Sequence, residues 1–91
     1  MSAFSRTLLI VNQRGLHARA SRKLAELALA YDAQVNVTRE GETADATSLM
    51  DLMMLGAGVG CEIEVSAEGP QAEEALDAIA RLVENRFGEG E

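Results

Sequence analysis

Cys61, Ile63 and Val65 alternate with Glu62, Glu64 and Ser66. A period of two marks a strand that buries one face and wets the other. Such a strand belongs to a sheet covered on one side only, so the rest of the chain has to supply both partner strands and a single covering layer.

The remaining periodicities supply them. Phe4 to Val11 is rich in β-branched residues and leucine, and its fully apolar end predicts a central strand. Asn12-Gln13-Arg14-Gly15 reads as a loop. From His17 to Tyr31 the spacing changes to threes and fours, with Leu16, Ala20, Leu24, Leu27 and Tyr31 in one stripe and Ala28 widening it. Gln34 to Arg39 alternates again, Glu40-Gly41 is a turn, and Glu42 to Ala46 completes a hairpin. Ser48 to Leu55 is a short apolar helix, and three glycines at 56, 58 and 60 make a loop. Past Gly69-Pro70, a second long helix carries Ala72, Leu76, Ile79, Val83 and Phe87 on its buried stripe. Pro70 is tolerated in a first turn, and Glu73 and Glu74 suit the positive helix end. Gly88 is expected to stop this helix and the last residues to fray. The order is strand, helix, strand, strand, short helix, strand, helix. It predicts an α+β fold of one domain, an open-faced β-sandwich with a four-stranded antiparallel sheet covered on one side by three helices.

Charge is unevenly spread. The first 25 residues hold Arg6, Arg14, Arg19, Arg22 and Lys23 and no acid, whereas the rest hold three basic and fifteen acidic residues. The overall net charge of −7 argues against nucleic acid as a partner, because such binding depends on neutralising phosphates. The basic segment can still hold one anion or dock on an acidic protein. No run approaches the roughly 20 apolar residues that span a bilayer, so no membrane insertion is expected. The amino terminus lacks the apolar core of a secretion signal, and the single cysteine has no internal partner. These features predict a cytoplasmic protein.

His17 is the only histidine, and it falls where a loop becomes a helix. A helix start presents amide hydrogens without intrahelical partners and a partial positive charge, which together form an anion site. Arginine grips phosphate oxygens with two N–H groups, and Arg14, Arg19, Arg22 and Lys23 are close in sequence. A neutral imidazole has a lone pair for attack on phosphorus. Nucleophile, anion cradle and guanidinium are the parts of a reversible phosphoryl carrier. A metal site is not expected, because one His and one distant Cys do not make a ligand set, and no cofactor is called for.

Gly15-Leu16-His17-Ala18-Arg19-Ala20-Ser21 resembles the active-site signature of the histidine-containing phosphocarrier (HPr) family of the bacterial phosphotransferase system. The resemblance extends from Phe4 to Phe87, taking in Asn12, the Ser48–Gly56 segment and the closing strand–helix unit. It implies a four-stranded antiparallel sheet under three helices. It also implies phosphorylation of His17 on the δ1 nitrogen with Arg19 assisting, so the catalytic residues are His17 and Arg19, and the phosphate-binding ones His17, Ala18 and Arg19. The partners implied are an enzyme I-type donor and an enzyme IIA-type acceptor. The chain would then act as a monomeric phosphohistidine carrier, not as a turnover enzyme. The family usually has proline where this chain has Ala20, which lowers rigidity at the site entry while preserving the helix. This variant resembles the nitrogen-related branch. The rival expectation is a non-catalytic regulatory interaction module of the same fold, against which the pairing of His17 with Arg19 stands.

Ser48 precedes Leu49-Met50-Asp51, so serine can cap the short helix and Asp51 can answer it. In one branch of the family the serine matching Ser48 is a regulatory phosphorylation site, which implies a kinase/phosphorylase of the HPr type as a further partner. Asp51 departs from the glycine often found there. Leu49, Met50, Leu52, Met53, Met54 and Leu55 are too many for one buried stripe. Leu49, Met50, Leu52 and Met53 are therefore expected to form a partner-docking patch, with methionine suited to adaptable contacts.

Overall fold

The computed structural model describes residues 3–89. The elements run β1 (Ala3–Leu9), α1 (Ala18–Leu29), β2 (Gln34–Arg39), β3 (Glu42–Asp45), α2 (Leu49–Met54), β4 (Glu62–Glu68) and α3 (Ala72–Glu84), followed by a 3₁₀ turn at Arg86–Gly88. The four strands form one antiparallel sheet in the order β1-β4-β2-β3. Three helices cover its inner face, as the one-sided pattern of Cys61–Ser66 requires.

Register explains the one-sidedness. Leu8 lies opposite Ile63, and Val65 lies between Arg6 and Val37, with Ala44 beyond Val37. Leu8, Ile63, Val65, Val37 and Ala44 are buried together with Leu24, Leu52, Leu76, Ile79 and Val83 from the helices. Thr7, Glu64 and Thr38 line up on the opposite face, where water solvates them. Glu40 and Gly41 both have positive φ, 50° and 84°, as a tight two-residue hairpin turn with the right-handed strand twist requires.

β1 is an edge strand, not the central one that its apolar end predicted. Leu9 is 50% exposed on the outer face, and Ile10 enters the core only after the strand has ended. The apolar run thus marks the point where the chain leaves the sheet and dives beneath the helices. On the inner side of this edge, Arg6 reaches out to Asp77 of α3 at 2.8 Å. Both side chains are well exposed, so the pair contributes little, at most about 1 kcal/mol.

The short helix is prepared by the turn before it. Thr47 donates its backbone N–H and its hydroxyl to Asp45 Oδ1 at 2.9 and 2.7 Å. These donors hold the Asp45 carboxyl below its ordinary range, outweighing the opposite effect of burial. Ser48 then caps α2, accepting from the Asp51 N–H at 3.3 Å, one half of the exchange that the Ser48–Asp51 spacing predicted.

Candidate functional site

Helix α1 begins at Ala18 and not at His17. His17 is its N-cap, with extended backbone (φ −73°, ψ −179°) and a ring that accepts from the Arg19 N–H at 3.3 Å through Nδ1. Ser21 N–H closes the first helical bond onto the His17 carbonyl at 2.8 Å. The amides of Ala18, Arg19 and Ala20 therefore open the helix with no carbonyl of a preceding turn to receive them. The side chain of His17 is 23% exposed, accessible on one side and supported on the other. Ala20 faces inward and is completely buried.

Two features hold the entry loop. Gly15 has φ +64°, and a Cβ there would come within 2.4 Å of the Ala57 carbonyl oxygen and 2.7 Å of Gly58 Cα. Only glycine allows this approach. Leu16 N–H donates to the same Ala57 carbonyl at 2.9 Å, so the loop after α2 abuts the residue next to His17. Beneath the loop, the wholly buried Ser21 donates from its hydroxyl to the Leu16 carbonyl at 3.1 Å.

The basic residues separate into different roles. Arg22 pairs with Glu26 at 3.3 Å one turn along α1, and Lys23 donates to the Phe87 carbonyl at 2.6 Å. Arg14 and Arg19 are exposed and form no ion pair among the described residues. The cationic charge still available near His17 is therefore that of Arg14 and Arg19.

Of the four residues expected to form a docking patch, Leu49, Met50 and Met53 are exposed, at 37%, 66% and 40%. Leu52 is not: it is fully buried. On a helix of this length, positions 49, 50 and 53 share the outer side, while 52 and 55 turn toward the core. Met54 joins the exposed set at 77%.

Two site residues had no distinct role in the sequence. Asn12 is fully buried and donates from Nδ2 to the Gly15 carbonyl at 2.8 Å and to Glu89 Oε1 at 3.1 Å. Glu89, in the tail expected to fray, places its other carboxylate oxygen in hydrogen-bond contact with His17 Nε2. Gly90 and Glu91, the rest of that tail, lie outside the described residues. Glu89 is delivered by an unusual backbone. α3 ends at Glu84, and Arg86, Phe87 and Gly88 all take positive φ, 57°, 54° and 75°. Left-handed backbone costs a non-glycine residue about 1–2 kcal/mol. It persists here because Phe87 is completely buried and its carbonyl is held by Lys23.

A family model described as "PTS HPr component phosphorylation site" matches residues 4–85. A phosphocarrier protein HPr from Cupriavidus necator is 50% identical over 82 residues, covering 90% of this chain and 92% of its own length. A phosphocarrier protein NPr from Escherichia coli is 45% identical over 84 residues, covering 91% and 93%. Among solved structures, an HPr from Thermoanaerobacter tengcongensis superposes with a TM-score of 0.93 at 35% identity, covering 97% of this chain and 99% of that one.

Proposed function

Because the chain belongs to the HPr family and is a phosphocarrier of the phosphotransferase system, we propose that His17 is the residue that carries the phosphoryl group. The observation that carries this assignment is the ring itself, partly exposed at a helix N-cap with Nδ1 turned to the Arg19 amide. An N–H donor facing Nδ1 requires a lone pair there, so Nδ1 is the nucleophilic nitrogen. As the P–N bond forms, the Arg19 amide exchanges Nδ1 for a phosphate oxygen, joined by the amide of Ala18. Helix and guanidinium stabilise the charge that collects on the transferring group.

The donor is an enzyme I-type protein that transfers phosphate from phosphoenolpyruvate, and the acceptor an enzyme IIA-type protein. Leu49, Met50, Met53 and Met54 form the apolar part of the surface these partners share, with Arg14 and Arg19 as its basic rim. Among the described residues no helix is long and apolar enough to cross a membrane, and the proposed place of action is the cytoplasm. The direct test is to incubate the protein with enzyme I and phosphoenolpyruvate. Acid-labile phosphate on His17, found by mass spectrometry under neutral conditions, is expected; an unlabelled protein beside a labelled control carrier would reject the assignment.

Arg19→Ala is expected to slow transfer to the acceptor at least about tenfold, because it removes a donor that strengthens as charge develops. Its stability should change by no more than about 0.5 kcal/mol, since the side chain is exposed. Wild-type single-turnover rates in this variant would remove Arg19 from the mechanism.

Ser48 is the proposed regulatory phosphorylation site. As the N-cap of α2 it holds an oxygen at a positive helix end, where phosphate adds about −1.5 to −2 charge and is locally favoured while repelling an acidic partner. Incubation with a kinase of the HPr kinase/phosphorylase type, followed by intact mass, should show one added phosphate on wild type and none on Ser48→Ala. Equal incorporation in both would place the modification elsewhere.

A further inference from the structure

We infer that Glu89 is a positioning residue for phosphoryl transfer, holding the His17 ring as the tautomer with its proton on Nε2 and its lone pair on Nδ1. The inference rests on the phosphocarrier assignment and extends it to a residue beyond the stretch that the family model matches, which ends at residue 85.

Two contacts on opposite sides of the ring fix its protonation pattern together. On one side the Arg19 N–H, which can only donate, faces Nδ1 at 3.3 Å. On the other, the Glu89 carboxylate, which when ionised can only accept, faces Nε2. Only one neutral form of imidazole satisfies both. The carboxylate is itself oriented: its second oxygen accepts from buried Asn12 at 3.1 Å, while the same Asn12 nitrogen binds the Gly15 carbonyl at 2.8 Å. Glu89 is thereby tied to the loop that carries the histidine. The left-handed run at 86–88 points the same way. Two non-glycine residues hold a disfavoured backbone, with buried Phe87 and its Lys23 contact as anchor, and the result is to bring residue 89 back across the start of α1.

The chemistry gives this arrangement a use. When Nδ1 attacks phosphorus, its lone pair becomes the new P–N bond, and the bond from phosphorus to the donor protein breaks with its electron pair leaving on the donor. The ring gains positive charge, shared with the Nε2–H beside the carboxylate. In the onward step, a lone pair of the acceptor's nucleophile forms a new bond to phosphorus as the P–N bond breaks with its electron pair returning to Nδ1. If Nε2 has kept its proton, the group that leaves is neutral imidazole. If that proton has been lost, the leaving group is an imidazolate anion, which departs far less readily. A carboxylate that retains the Nε2 proton therefore favours both loading and release, and it acts without touching the phosphoryl group.

The test compares wild type with Glu89→Ala and Glu89→Gln in the full chain. In ¹⁵N-labelled protein at mildly alkaline pH, wild type is expected to show an Nε2–H proton of His17 protected from exchange with water. Glu89→Ala loses it, and Glu89→Gln, whose amide oxygen still accepts, recovers it at least in part. Single-turnover transfer from phosphorylated His17 should slow about tenfold in Glu89→Ala, as when the partner that orients a histidine through its other nitrogen is lost. Glu89→Gln should lie between the two. An unchanged Nε2–H signal in Glu89→Ala overturns the inference, as does a transfer rate equal to wild type. The NMR comparison needs no donor protein, so a failure of phosphorylation itself would be recognised separately, as an unlabelled wild type.

Discussion

Replacing His17 with alanine is expected to abolish phosphoryl acceptance from enzyme I and phosphoenolpyruvate while leaving the domain folded. The chain has no other histidine, so no second imidazole can take over the acid-labile bond. The side chain is not part of the hydrophobic core. Its structural contributions are the N-cap contact with the Arg19 amide and the contact with Glu89, and loss of a cap costs about 1 kcal/mol. For a domain of this size that lowers Tm by about 4–8 °C, leaving the variant folded at assay temperature. His17→Asn, which keeps a capping side chain, should recover most of the lost stability and none of the labelling. Acid-labile phosphate persisting on either variant would move the nucleophile elsewhere in the chain.

The largest expected effect on stability is that of Phe87→Ala. Phe87 is a fully buried residue, larger than any other in the core, and truncating such a side chain costs about 3–5 kcal/mol. Against a total stability of roughly 5–15 kcal/mol for a small domain, this is a substantial part. Tm should drop by roughly 20 °C or more. The loss should also free the turn that carries Glu89, because the left-handed backbone at 87 is held by the burial of its own side chain. Phe87→Leu, which keeps much of the buried volume, should lose less than half as much. A Tm for Phe87→Ala within a few degrees of wild type would show that the ring is not keyed into the core.

The path from residues to fold was short wherever a period was long enough to count. The alternation at 61–66 and the three-and-four spacing of α1 and α3 announced a one-sided sheet under helices, and Ser48 announced its own cap. Errors came where sequence pattern and spatial path diverge. Leu9 and Val11 make the end of β1 look central, but the apolar run belongs partly to the strand and partly to the descent into the core at Ile10. Phe87 continues the i, i+4 series from Val83, so it reads as helical. It is buried as that series requires, yet by a left-handed turn after α3 has ended. Leu52 could not be told from its neighbours until the direction of α2 over the sheet was known.

The site followed the same rule. His17, Ala18 and Arg19 are contiguous and sit at a helix start, so their grouping is local and visible. Glu89 lies 72 residues from His17, in a stretch of glycine and glutamate that offers no periodicity. Asn12 looks like an ordinary loop residue, and its use appears only when Gly15 and Glu89 are both within reach of one amide group. Contacts between distant segments that involve single polar side chains leave no pattern for a sequence to display.

The position of Glu89 bears on how the protein is handled. A label attached within the 86–88 turn would sit between the end of α3 and the carboxylate that contacts the imidazole. Ala3, by contrast, stands at the far end of an edge strand of seven residues, roughly 20 Å along the sheet from the point where the chain turns toward His17. A label at Ala3 leaves the ring as it is, and transfer rates measured with one in the 86–88 turn would report partly on the attachment.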